Sequence, residues 1–267
     1  MWLRAGTGSP VSVTGPIPRS AVPPDRGRSA LVRVWAALRT LPYEAVWSVY
    51  LCLTLCVLPW VVPSRAVGGI PSGACLFCVT HVGSLDPLFL VRHSRRWRLW
   101  ALFTVDERHP WLRFFYQAFF RFRVAPNRAA KGALHSQTLA AAVACLRRGG
   151  SIMVFPEGHR YWEGRLYAGV AKLAHRAGVP IVPVLLANAY VYRPGAEEAP
   201  LHRMVWRILR ETRRQGGVVV HFADPIVPNP SLSERSDTER MMGVIERVFA
   251  VFYREAYGLP GPRWAGE

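Results

Sequence analysis

The sequence predicts an α/β fold: a mainly parallel central sheet flanked by helices, preceded by an N-terminal membrane-associated helical hairpin. Three observations lead there. From about residue 70 onward, short apolar runs alternate with longer amphipathic ones, the pattern of strand–helix–strand units. Residues 45–63 carry no charge at all. The chain is 51% hydrophobic and only 19% charged, below the ~25% usual for soluble domains.

Taken in order, residues 1–29 hold Pro10, Pro16, Pro18, Pro23 and Pro24 among Gly and Ser, without periodicity. They read as a disordered leader, and no basic segment runs into an apolar stretch with a small-residue cleavage site. In residues 30–43, Leu31, Val34, Trp35, Leu38 and Leu41 recur at helical spacing with Arg33 and Arg39 off that stripe. This suits a helix lying on a membrane surface. As a helix, residues 45–63 would be ~28 Å long, close to the ~30 Å hydrocarbon core. Pro59 and Pro63 shorten the helical part, and Arg33, Arg39 and Arg65 flank it without choosing an orientation. The expectation is therefore that 30–66 anchors the chain by dipping into one leaflet; the alternative for 45–63 is a buried core helix.

The remaining residues, 67–267, are expected to form the folded domain. Strands are expected at 74–80, 98–104, 151–155, 181–187 and 217–222. Helices are expected at 86–93, 110–120, 130–148, 165–177, 199–215 and 236–256. Pro110 opens the aromatic helix 110–120, and Gly149 and Gly150 end the long helix before the 151–155 strand. Residues 226–267 carry no reading beyond an amphipathic helix that packs and a Pro/Gly tail.

Charge and cysteine narrow the class. Lys+Arg number 34 against Asp+Glu 17, a formal net charge of +17. Lysine occurs only at Lys131 and Lys172, so the excess is arginine. Such a charge favours anionic partners, and beside high hydrophobicity it favours an anionic membrane surface over nucleic acid. The arginines are spread along the chain, without helix-turn-helix, zinc or RNP-type signatures. The five cysteines, Cys52, Cys56, Cys75, Cys78 and Cys145, suggest no disulfide framework. Cys75 and Cys78 form a CxxC inside a strand, with no second CxxC to complete a metal site, and are expected to be buried. Exposure of the main domain to the cytoplasm fits these features.

The first residues with chemistry are His81-Val82-Gly83-Ser84-Leu85-Asp86-Pro87, where a strand ends and a helix begins. A carboxylate five residues after a histidine can accept the Nδ1 proton, fix the tautomer and stabilise the imidazolium, leaving Nε2 to take a proton from a hydroxyl. Asp86 reads equally well as the cap of the following helix. Ser84 lies nearby, but no GxSxG elbow surrounds it, so it is read as a loop residue. Residues 154–158, Val-Phe-Pro-Glu-Gly, follow the 151–155 strand; a carboxylate held by Pro156 and opened by Gly158 suits polyol hydroxyls. Residues 178–184 then read Gly-Val-Pro-Ile-Val-Pro-Val.

HxxxxD, FPEG and VPIVPV in that order on successive strands resemble the glycerolipid acyltransferase family, whose best-known members are lysophosphatidate acyltransferases. The resemblance covers about residues 70–225. It implies that His81 is the general base on an acceptor hydroxyl and that Asp86 orients it. It implies an acceptor-binding set of Arg128, Phe155, Pro156, Glu157 and Gly158. Arg128 occupies the slot of the family's phosphate-holding arginine, 29 residues before Glu157; Arg121 and Arg123 are the other candidates, or a basic edge facing headgroups. Gly158 and neighbouring amides would shape the pocket and help hold an oxyanion. The reaction implied is direct transfer from an acyl thioester, acyl-CoA or acyl carrier protein, to lysophosphatidate, with no metal and no other cofactor. The place implied is the cytoplasmic face of a membrane.

The chain departs from the family pattern at three places. Thr80 stands where Asn is usual before the histidine, His159-Arg160 where Thr-Arg follows FPEG, and Leu166-Tyr167 where Phe-Lys is usual. His159 reads as a second acid/base group, a headgroup contact or a polar loop residue. These changes bear on the acceptor, so another lysolipid or a glycolipid stays open, as does a non-catalytic lipid-binding relative.

Overall fold

Continuous apolar strands form the middle of the molecule because they are covered on both faces. In this computed structural model, β2 (Leu76–Val79) and β5 (Ser151–Val154) are buried at every position, and β6 (Ile181–Ala187) at all but its last. The structure describes residues 45, 47–49, 51–83, 85–96, 99–104, 122–124, 133–158, 164–189, 201–264 and 266. These belong to one compact unit, Pro42–Glu267. The expected leader, the 30–43 helix and the 110–120 helix lie outside the described residues.

Among the described residues, seven strands form one sheet in the order β1-β7-β6-β2-β5-β3-β4. Here β1 is Ser64–Val67, β3 Leu99–Thr104, β4 Phe122–Val124 and β7 Val218–Phe222. β6, β2, β5, β3 and β4 run parallel. β7 is antiparallel to β6, and β1 parallel to β7, so this edge of the sheet is reversed. The parallel expectation thus holds for the centre, while β1 is an addition. Its burial pattern is mostly exposed and it carries Arg65, features of an edge strand that hydrophobic periodicity does not reveal.

The labelled helices are α1 (Leu58–Val61), α2 (Asp86–His93), α3 (Ala133–Arg147), α4 (Gly169–Ala177), α5 (Leu201–Arg214) and α6 (Glu234–Tyr257). α4 ends at Gly178 in the left-handed region (φ 69°), which a side chain would strain. α6 starts at Ser233, whose side chain accepts from the Ser236 N–H, and buries Met241, Met242, Ile245, Phe249, Phe252 and Tyr253. The chain leaves β2 toward β3 on one side, and leaves β5 toward β6 on the other. The connections after β2 and β5 thus run in opposite directions, each past the other's strand, a switch point of the kind at whose carboxyl strand ends α/β folds place their sites.

Residues 45–63 divide their two sides between core and surface. Trp47, Leu51, Leu58 and Val62 join the core, whereas Val49, Leu55, Val57 and Trp60 are exposed. Leu53–Val57 is a π-helical turn. Pro59 explains it: the ring lacks an N–H and crowds the carbonyl four residues back, so the ladder widens just before it. Among the described residues no helix is long and apolar enough to cross a membrane.

Candidate active site

The carboxyl ends of β2 and β5 bring together three of the polar residues that the sequence singled out, His81, Asp86 and Glu157. β2 stays in register with β6 up to Val79↔Val184, and Thr80 then fastens the strand end. The Thr80 N–H donates to the Val184 carbonyl at 3.0 Å, and its hydroxyl accepts from the Leu186 N–H at 3.2 Å. A threonine can therefore serve in the position before the histidine: its short side chain closes the ladder toward β6.

His81 follows directly. Its Nδ1 lies 3.2 Å from Asp86 Oδ2, and the ring stacks in a tilted arrangement on Phe155 at 4.4 Å between centroids. Asp86 is the first residue of α2 rather than its cap, which is Leu85. The carboxylate turns back over the loop, accepting from the Gly83 N–H at 2.8 Å. Asp86 is buried, and burial lifts its pKa above the ordinary value despite the opposing bonds from His81 and the loop amides. A buried, reluctant carboxylate gains most when its neighbour becomes an imidazolium. With Nδ1 engaged and the His81 side chain 19% exposed, Nε2 is the nitrogen left for a substrate hydroxyl.

Glu157 sits behind this pair. It is fully buried, and the His81 backbone N–H donates to its Oε1 at 3.0 Å. The hydroxyl of Tyr253, on α6, lies 2.9 Å and 2.8 Å from its two oxygens. Burial raises the Glu157 pKa to about 8, with Asp86 adding to the rise and the bonds from Tyr253 and His81 opposing it. The carboxyl expected to meet an acceptor is thus engaged inside the protein, where it braces the loop carrying His81. Pro156 is buried and Phe155 half-buried beneath the imidazole.

Gly158 is exposed and takes φ 73°. That φ is what favours glycine here; a Cβ would also come within 2.7 Å of the Tyr167 ring, which would have to shift. Its N–H donates to the Phe155 carbonyl at 3.1 Å, closing the turn, so that amide is already committed. The turn also receives the Tyr167 N–H on the Pro156 carbonyl at 2.8 Å, which gives Tyr167 a structural part at the site rim. Ser84, Arg121, Arg128, His159 and Arg160 lie outside the described residues, and Arg123 is described only as part of β4.

The structure therefore brings together His81, Asp86, Phe155, Pro156, Glu157 and Gly158, and adds Tyr253, 96 residues beyond Glu157. One sequence signal pointed to Tyr253. A phenol on the buried face of an amphipathic helix needs a partner for its hydroxyl.

Residues 64–187, from β1 through β6, match the family model described as Acyltransferase. By that model, residues 64–187 are an acyltransferase domain. The match takes in His81, Asp86 and Glu157 and stops well before Tyr253. Among solved structures, the acyltransferase chain is similar to the crystal structure of the 1-acyl-sn-glycerophosphate (LPA) acyltransferase PlsC from Thermotoga maritima. The identity is 15%, with 82% of this chain and 85% of that chain covered and a TM-score of 0.45. No curated protein matches the sequence.

Proposed function

We propose that this acyltransferase moves a fatty acyl group from an acyl thioester, acyl-CoA or acyl carrier protein, to the free hydroxyl of lysophosphatidate, giving phosphatidate. The proposed place is the cytoplasmic face of a membrane, reached through the apolar N-terminal segment. The observation that carries the reading is the His81–Asp86 contact at the carboxyl ends of β2 and β5, with the ring partly open to solvent.

His81 Nε2 accepts the proton of the acceptor hydroxyl as its oxygen attacks the thioester carbonyl. Asp86 holds Nδ1–H and stabilises the imidazolium that forms. The tetrahedral intermediate collapses, the carbon–sulfur bond breaks, and the imidazolium proton goes to the departing thiolate. The products are an ester and a free thiol. Glu157 keeps the His81 backbone in place through its N–H. Arg128 is assigned to the acceptor phosphate on the family resemblance, as a bidentate donor.

The test is acyl transfer from a labelled thioester to a panel of lysolipids and glycolipids, by purified full chain and His81→Ala. Lysophosphatidate acylation that disappears in the variant supports the reading. Transfer to a different lysolipid moves the assignment to that acceptor. Folded wild type that acylates none of them overturns it.

A further inference from the structure

The β6–β7 connection leaves and re-enters the sheet at the edge where His81 stands. Ala187 at the end of β6 pairs with Val219 near the start of β7. Thr80, immediately before His81, bonds to Val184 and Leu186 on that same β6 end. α5 lies wholly within this connection, so it is an excursion from the active-site edge. Its described side chains divide sharply. Ile208 and Thr212 face inward and are buried. Trp206, Arg207, Arg210, Arg213 and Arg214 are exposed, with Trp206 at 68%. At ~100° per residue those five fall within an arc of about 120°. The one acid on this stretch, Glu211, stands at the arc's rim, 3.7 Å from Arg214.

A second exposed tryptophan occurs at the same edge. Trp60 is 86% exposed on α1. The chain passes from α1 into β1 through Pro63, whose carbonyl accepts from the Val218 N–H at 2.9 Å. A large aromatic held in water beside a field of guanidinium groups is the composition of a surface that meets lipid headgroups. The rings enter the interface while the arginines pair with phosphates.

We infer that the exposed face of α5 is a docking surface for an anionic lipid bilayer, with Trp206 as anchor and Arg207, Arg210, Arg213 and Arg214 as headgroup contacts. It turns the His81 edge of the sheet toward the membrane that supplies the acceptor. The inference rests on the reading of that acceptor as a lipid. Nucleic acid is the poorer occupant, since the tryptophan shares its arc with the arginines at an edge that already carries the exposed Trp60.

Two measurements on the full chain test it. In the first, a fluorophore sensitive to polarity is attached at Trp206→Cys, with Cys52 and Cys56 replaced by serine. Its emission shifts to the blue on vesicles containing phosphatidylglycerol, less on phosphatidylcholine alone, and the shift falls with added salt. No shift on either vesicle, or a shift with a nucleic acid and none with vesicles, overturns the docking surface. In the second, Arg207→Gln, Arg210→Gln, Arg213→Gln and Arg214→Gln are combined. Transfer to acceptor embedded in anionic vesicles drops by roughly tenfold or more, and transfer to a short-chain acceptor dissolved as monomers is unchanged. Equal rates on both substrates, or an equal fall on both, overturns it. If wild type acylates neither substrate, the catalytic reading fails and the fluorophore alone decides the surface.

Discussion

Among the described residues, two histidine–aspartate pairs lie in this domain, and they stand in different surroundings. In the first, His81 Nδ1 is 3.2 Å from Asp86. In the second, His175 Nδ1, on α4, is 2.8 Å from Asp237, on α6. By distance the second pair is the better one. The difference lies in what else the carboxylate touches. Asp237 receives two bonds from the Arg240 guanidinium at 2.9 Å and 2.7 Å, and the Asn229 N–H at 3.0 Å. Burial alone would raise its pKa, yet these donors and His175 hold it below the ordinary value. Asp86 has loop amides and its histidine, no arginine among the described residues, and a raised pKa. A satisfied carboxylate clasps two helices together; an under-satisfied one is poised to stabilise a proton on its neighbour. The chemistry follows from the surroundings of the pair.

The sharpest break in this comparison is Asp86→Asn. Losing the carboxylate removes tautomer control and imidazolium stabilisation, so turnover falls about a hundred- to ten-thousand-fold. Because the native state holds Asp86 at a raised pKa, its ionisation opposes folding near neutral pH, and the variant melts no lower than wild type. Turnover and thermal unfolding of the same preparation check both halves. Substantial activity with a lowered melting point would reverse the roles assigned to the pairs.

Asp237→Ala is the mirror case. The carboxylate is fully buried, and removing it takes away the acceptor shared by Arg240, His175 and the Asn229 N–H, at a cost of about 1–3 kcal/mol. Activity per folded molecule is unchanged, as denaturant unfolding beside an active-fraction assay will show. The pH signs are opposite too. Asp237, held low, lends stability that is present above the ordinary carboxylate pKa and lost as pH falls through its folded value. Asp86, held high, makes folding less favourable as pH rises through the carboxylate range and beyond.

This contrast marks what the sequence made legible. HxxxxD is local: a strand end and a helix start bring residues 81 and 86 together, so spacing alone locates the pair. FPEG and the apolar runs of β2, β5 and β6 are legible because each run is covered on both faces. The second pair joins residues 62 apart, and Glu157 meets Tyr253 at 96, distances across which pattern reading has no purchase. The reversed direction of β7 was hidden for a related reason. A strand's apolar pattern is the same in either direction, and only the return of the β6–β7 connection to its own edge decides it.

Glu157→Gln extends the comparison to a third carboxyl. The folded protein holds this proton to about pH 8 against an ordinary 4.5. The native state therefore binds more protons than the unfolded chain in that window, and stability declines as pH rises across it. Glutamine keeps an oxygen for the His81 N–H and cannot ionise. The variant should lose most of the decline, on the order of a few kcal/mol at the alkaline end. Urea midpoints taken between pH 4.5 and 8 measure it, and a wild-type decline left intact by the substitution would assign it to another group.

The smallest effect, and the most discriminating, is Tyr253→Phe. The ring stays, so the packing of α6 is preserved, and only the hydroxyl between α6 and Glu157 is lost. A buried carboxyl deprived of one donor costs about 1–3 kcal/mol. Tyr253 opposes the rise in the Glu157 pKa, so its loss moves Glu157 ionisation to still higher pH. The alkaline part of the stability decline should move with it. A hydroxyl that merely filled space would lower stability equally at every pH. Movement of the decline along the pH axis therefore separates a brace on the His81 loop from simple packing. It would also show that α6, beyond the residues matched by the family model, is coupled to the position of His81.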